Sequence, residues 1–411
     1  MPPYLAKWGL AMPRDSFHAW RRRSVALGQR DLADTIRRLV YRVDPQLFDR
    51  LDFADDDQFL HPLLFAFFTD PSPPIELPQI IYGLIDPSRR PELIQVRTDA
   101  FGCLCLGPIG DIETAVPSGI LEFGRVCPAA PYACLVGEKP VPFKLHPPLY
   151  VPGTRIQVVH NRHPLLERFA PICERTDVDI VQTTRYGISH LLLALGLLQT
   201  YCQDIWAEVV AVTRLIVLFR APQPNSFATL SAHGAIFCNL AYGDDEIALL
   251  EDVTHQAAHV SFNALTHNPS RILAIDPETP MQVLCNQCDD VRSVYAAFHG
   301  LFTYTLICRA LASVYDNAVL PEYRSHELSG RLGFTLEKFA VDVQRLDLPG
   351  AYTAIGRRCY EAFSAEYHKL HARYSAALDG FDFGNQPYVF SYARFVERNA
   401  GSWPCPQRPL L

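Results

Sequence analysis

Apolar positions in the first seventy residues recur at helical spacing, with Leu32, Ile36, Leu39 and Val40 falling on one face. Residues 1–70 therefore predict a helical N-terminal region, closed by the acidic turn Asp52 to Asp57 and the aromatic Phe65, Phe67 and Phe68. The pattern then changes. Prolines crowd together (Pro71, Pro73, Pro74, Pro78, Pro87, Pro91), and each removes a backbone donor that a helix needs. Short runs such as Leu93 to Val96 and Cys103 to Leu106 lie between Gly and Pro turns and predict strands. Residues 71–165 read as a Pro-rich β segment, and no internal repeat stands out.

Residues 166–411 read as a helical region. Positions 187–219 are apolar at helical spacing, ending in a strand at Leu215 to Phe219 before Pro222 and Pro224. Ala235 to Leu240 predicts a short strand. A long helix follows, opened by Asp244, Asp245 and Glu246, where acids suit the positive end of the helix dipole and Asp244 suits the N-cap. Asn268-Pro269 stops it near Thr266. A second helix runs from about Asp290 to Tyr315, with Val291, Val294, Phe298, Leu301, Phe302, Thr305 and Leu306 as its apolar positions. More helix is expected between 330 and 380, then glycine turns (Gly380, Gly384) and an aromatic tail. The fold class this predicts is α+β, mainly helical, with a short sheet beside the first of these two helices.

Composition narrows the function. With 49% hydrophobic and 20% charged residues the chain can bury a sizeable core. A net charge of −7 argues against nucleic acid as partner, since phosphate binding wants a basic face. The basic run Arg21 to Arg23 reads as a solvated face. The most apolar stretch, Leu191 to Leu198, is too short to span a bilayer. Without a secretory h-region, the 12 cysteines are expected as free thiols in a reducing cytosol, and the protein as cytoplasmic with no membrane partner.

The chemistry concentrates in Thr254-His255-Gln256-Ala257-Ala258-His259. Histidines at i and i+4 stack on one helix face, so two imidazoles can converge on one ion. The neighbours Ala257, Ala258 and Val260 are small and apolar, and a strand precedes the helix, as in the zincin-like peptidases with His-Glu-x-x-His. His299, bracketed by Phe298, Leu301 and Phe302, is a third candidate ligand; the competing reading is a buried histidine bonded to a backbone carbonyl. Arg292 lies seven residues, two helical turns, before it. It suits a bidentate carboxylate ligand, with a structural salt bridge to Asp289 or Asp290 as the alternative. Gln256 stands where the peptidases carry the general base, and an amide cannot take that proton at neutral pH. Hydrolysis by that route is lost while the ligands remain. Oxygen activation at Fe(II) needs no carboxylate there.

The order of these features resembles the alpha-ketoglutarate-dependent HExxH-type peptide beta-hydroxylases, iron enzymes that modify ribosomally made peptides (RiPPs). The residues that carry it are the apolar stretch 187–219, Ser226-Phe227-Ala228-Thr229-Leu230-Ser231 with Gly234-Ala235-Ile236, the His255/His259 helix reached through Glu251, and Arg292 with His299-Gly300-Leu301-Phe302. Weaker similarity covers about 95–165. The resemblance implies Fe(II) on His255, His259 and His299, 2-oxoglutarate as co-substrate with Arg292 on its distal carboxylate, O2, and a peptide or peptide-like substrate hydroxylated at a side-chain beta carbon. This chain departs from the family at Gln256, at Leu284-Cys285-Asn286-Gln287-Cys288 and at Ser293.

Other readings stay open. Cys285 and Cys288 form a lone CxxC, read as two thiols in a loop. His160 and His163 read as a solvated loop pair. Glu251, Asp276 and Glu278 are alternative carboxylate ligands, and Ser226 and Ser231 could line the pocket. The rival functions are a zinc-dependent peptidase-like hydrolase and a catalytically dead metal- or peptide-binding protein, since imidazole suits zinc as well as iron.

Overall fold

The fold is α+β and more than half helical. The computed structural model describes residues 17–400 apart from 72, 74, 126–130, 170–179, 223–224 and 286–289. Two compact units divide the chain, residues 30–263 in one and residues 1–29 with 264–411 in the other. The boundaries fall inside two helices, α1 (Phe17–Val43) and α9 (Glu246–Thr266).

In the unit of residues 30–263, α1 leads into the short helices α2 (Pro45–Phe48), α3 (Asp56–Phe59), α4 (Pro62–Thr69) and α5 (Leu77–Tyr82). Helix α5 lies inside the stretch expected as β, with Pro78 at its start where a missing N–H costs nothing. The strands follow, β1 (Leu93–Arg97), β2 (Cys103–Cys105), β3 (Asp111–Thr114), β4 (Ile120–Gly124), β5 (Ala133–Val136), β6 (Lys139–Pro140), β7 (Phe143–His146), β8 (Leu149–Tyr150) and β9 (Gln157–Val159). Helices α6 (Pro164–Phe169), α7 (Ile180–Tyr201) and α8 (Gln203–Val212) precede β10 (Leu215–Phe219), β11 (Ala235–Asn239) and α9. Two sheets are antiparallel, β1-β4-β5-β6 and β2-β3-β7; the third, β11-β10-β9-β8, has its first three strands parallel.

That parallel sheet explains the apolar runs seen in the sequence. A parallel strand is covered on both faces, so it reads as a continuous hydrophobic segment, and every residue of β10 is buried. The strand expected at Leu215 to Phe219 is β10, and the helix expected before it is two helices, α7 and α8. Helix α7 buries Thr183, Thr184, Gly187, Leu191, Ala194, Leu195 and Leu198, a stripe at helical spacing. Gly187 is the point of close approach, because a Cβ there would stand 2.7 Å from Leu240 Cδ2 and 3.0 Å from Leu218 Cδ1. At the start of α9 the cap falls one residue later than expected. Asp244 Oδ2 is used by Ala241 N in the preceding turn, at 2.6 Å, while Asp245 Oδ1 accepts Ile247 N at 2.8 Å.

A short repeat escapes notice in the sequence. His61-Pro62-Leu63-Leu64 and His163-Pro164-Leu165-Leu166 start α4 and α6 in the same way. In each, proline takes the first helical position and the preceding histidine's Nδ1 accepts the N–H two residues on, at 3.4 Å from Leu63 and 3.3 Å from Leu165. His163 is therefore a buried cap and not a solvated loop residue. Burial, then the nearby Arg214 charge, lowers the His61 pKa to about 4; burial, then His61, lowers His163 to about 3.

The second unit is helical: α10 (Met281–Cys285), α11 (Val294–Asn317), α12 (Glu322–Arg345), α13 (Ala354–Leu378) and α14 (Tyr392–Arg398). Phe298 and Phe302 of α11 pack edge-on against Phe363 of α13. Among the described residues α11 is long and apolar enough to cross a membrane, but 78% of that window is buried within the fold, as in a core helix. The aromatic tail closes on α12, where Gly330 and Gly333 leave room for Phe395 and Phe383. Arg21 is also buried, with its guanidinium over the Phe302 ring, so the run Arg21 to Arg23 is not wholly a solvated face.

The two histidine caps set an acid limit on stability. Both are held neutral when folded but take a proton near pH 6.5 when unfolded, so their contribution is full above that pH and falls as pH drops toward 4 and 3. Urea unfolding at pH 8, 6, 5 and 4 should show this loss, and His61→Asn with His163→Asn should flatten it. An unchanged slope in the double variant would rule the caps out as its source.

Candidate metal centre

Helix α9 places His255 and His259 one turn apart, and the two rings face one another with centroids 4.7 Å apart. Their Nε2 atoms are 3.0 Å apart. Two imidazoles bound to one ion at about 2.1 Å, with a right angle between the bonds, would hold their nitrogens about 3.0 Å apart. The pair therefore fits two adjacent positions on a metal, and an N–H···N hydrogen bond holds the same spacing without one. Burial lowers the His259 pKa to about 4, which leaves its ring neutral and able to donate a lone pair at pH 7. Among the described residues, no group of three or more His, Cys, Asp or Glu side chains has the arrangement of a metal site.

Gln256 points elsewhere. It is almost wholly buried, and its Nε2 donates to Asp252 Oδ1 at 3.1 Å. Asp252, one turn earlier, also accepts Ser226 Oγ at 2.7 Å, and the Cys238 thiol bonds to the same carboxyl. Burial raises the Asp252 pKa to about 6. No sequence signal singled out Asp252; Ser226, read as a pocket-lining residue, is its partner.

His299 is on α11 in the other unit, half-buried, with its ring 6.1 Å edge-on from Tyr295. Tyr295 in turn bonds Thr266 Oγ1 at 2.7 Å. Arg292 is committed within that unit. Its Nε and Nη2 donate to the two oxygens of Asp290 at 2.9 and 2.7 Å, and its Nη1 and Nη2 to those of Asp342 at 2.8 and 2.7 Å. Four of the five guanidinium N–H groups are spent on two buried carboxylates. Arg345 joins at 3.2 Å from Asp290, whose pKa the Arg292 hydrogen bonds lower to about 2. A Cβ on Gly300 would lie 3.0 Å from Asp342 Oδ2, so the glycine after His299 makes room for this cluster. As it stands, Arg292 does not fit the distal carboxylate of 2-oxoglutarate.

Of the alternative ligands, Asp276 and Glu278 are exposed, and Asp276 accepts Glu278 N at 3.0 Å within its own turn. Glu251 is half-buried on α9. Ser231 lies in the 3-10 turn Leu230–Ala232. Half-buried His160 sits near Asp111, whose carboxyl pKa burial pushes up. Cys285 is a free thiol donating to Met281 O at 3.0 Å, and Cys288 lies outside the described residues. No protein-family model matches the chain, and no curated protein matches it.

Arg292→Ala would leave Asp342 buried without its arginine and Asp290 with Arg345 as its cation. Such a loss costs on the order of 3–5 kcal/mol. Chemical denaturation should show a drop of that size, with Arg292→Lys recovering only part, because an ammonium cannot bridge two carboxylates bidentately. A variant as stable as the parent would free Arg292 for ligand binding instead.

Proposed function

We propose that the chain is a non-haem iron oxygenase that uses O2 and 2-oxoglutarate to hydroxylate a side-chain carbon of a peptide or peptide-like substrate, in the making of modified ribosomal peptides. The observation that carries the reading is the His255/His259 pair, with Nε2 atoms 3.0 Å apart and at least His259 neutral at pH 7. In this reading strand β11 and helix α9 form a zincin-like unit that presents the pair. The resemblance alone adds His299 as third ligand. Eight described cysteines are free thiols, which fits a protein of the reducing cytosol.

Iron, when bound, supplies the activation of O2. The chain's own contribution is narrower. The two imidazoles would hold the metal through Nε2, and burial keeps the His259 ring neutral with its lone pair available. Gln256 favours this chemistry over hydrolysis: its amide takes no proton at neutral pH, and it is held against Asp252. Because Arg292 is occupied by Asp290 and Asp342, no step is assigned to the co-substrate's far end.

Protein loaded anaerobically with Fe(II), then given O2, 2-oxoglutarate and a library of short peptides, should form succinate and a peptide heavier by one oxygen. His255→Ala and His259→Ala should abolish both. Absence of succinate with every peptide, together with zinc-dependent peptide cleavage, would hand the site to the hydrolase reading.

A further inference from the structure

In unit 30–263, the reading above uses only the Gln256–Asp252 contact of a larger polar cluster on the buried side of α9. Residues 252, 256 and 259 succeed one another at four and three positions, so they lie along one face of the helix. The Asp252 carboxylate gathers three donors there: Ser226 Oγ at 2.7 Å, Gln256 Nε2 at 3.1 Å and the Cys238 thiol. Ser226 Oγ also accepts Asn239 N at 2.8 Å, and Asn239 clasps Ala221 through its side-chain amide, at 3.1 and 2.7 Å. Asp252 thus ties the middle of α9 to the end of β11 and to the segment that follows β10.

The orientation of Gln256 is set by chemistry. Only its NH2 can face a carboxylate, so Oε1 must point the other way. Oε1 is buried and has no hydrogen-bond partner among the described residues. A glutamate in this position would place a second carboxylate about 3 Å from the first in a site nearly closed to water, where two like charges cannot both ionise cheaply.

We propose that Asp252 is a positioning residue that holds Gln256 and, through its own bonds to Ser226 and Cys238, the rotation of the His255/His259 face, and that glutamine stands at 256 as the neutral partner of a buried carboxylate and not as a decayed general base. Its consequence for metal binding rests on the proposed metal function; its consequence for folding does not. Restoring Glu at 256 destroys the amide–carboxylate pair. Exchanging the two side-chain types, amide at 252 and carboxylate at 256, makes the pair again in reverse.

The test is that exchange, read in two ways at pH 8. Gln256→Glu should lower the melting temperature of metal-free protein by several degrees, and the double variant Asp252→Asn with Gln256→Glu should recover most of it. Titration with Co(II), followed by its visible absorption, should show about a tenfold loss of affinity in Gln256→Glu, the usual scale for a residue behind the ligands. The double variant should bind within about threefold of the parent. Parental stability in Gln256→Glu would overturn the proposal. So would a double variant no better than the single one. Were the parent to bind no Co(II), the metal reading would fall, and recovery of the melting temperature alone would decide the role of Asp252.

Discussion

The repeat of 3.6 residues per turn in α9 is what the candidate site depends on. It stacks His255 beneath His259 and sets Asp252 beneath Gln256 on the adjoining strip of the same helix. The first pair presents two nitrogens 3.0 Å apart; the second turns its polar atoms toward Ser226, Cys238 and the end of β11. Burial of Leu250, Val253, Ala258 and Val260 holds α9 in the core, but apolar contact is non-directional and leaves small rotations open. The buried carboxylate removes that freedom, because each of its hydrogen bonds would be left unmade by a rotation of the helix.

In the helical unit, an ion cluster does a different kind of work. Arg292 bridges Asp290 and Asp342, and Gly300 leaves the space in which Asp342 sits. The spacing of arginine and glycine that resembles a co-substrate anchor is satisfied here by packing between the start of α11 and the far end of α12. Four charge-assisted hydrogen bonds to two buried carboxylates make the guanidinium a structural joint.

Much of the architecture was legible from periodicity. Strands at Leu93–Arg97, Leu215–Phe219 and Ala235–Asn239, and helices at Glu246–Thr266 and Val294–Asn317, lie close to where hydrophobic spacing and the Asn268-Pro269 stop put them. What periodicity could not show depends on partners distant in sequence. Asp252 reads as one acid among several until Ser226 and Cys238 close on it. Arg21 reads as part of a basic run until Phe302 covers it. His163 reads as a loop residue because its capping role needs the helix that it starts. The paired histidines were visible because both partners lie on one helix turn, and the anchor role of Arg292 was expected because Asp342, fifty residues away, was not.

The proposed chemistry stands or falls on one metal ion at the His255/His259 face. Metal analysis of anaerobically purified protein, beside His255→Ala with His259→Ala, tests it most directly. The parent should carry one transition-metal ion per chain and the double variant none. Equal metal content in both proteins, or a metal-free parent that takes up no Fe(II) on titration, would contradict it.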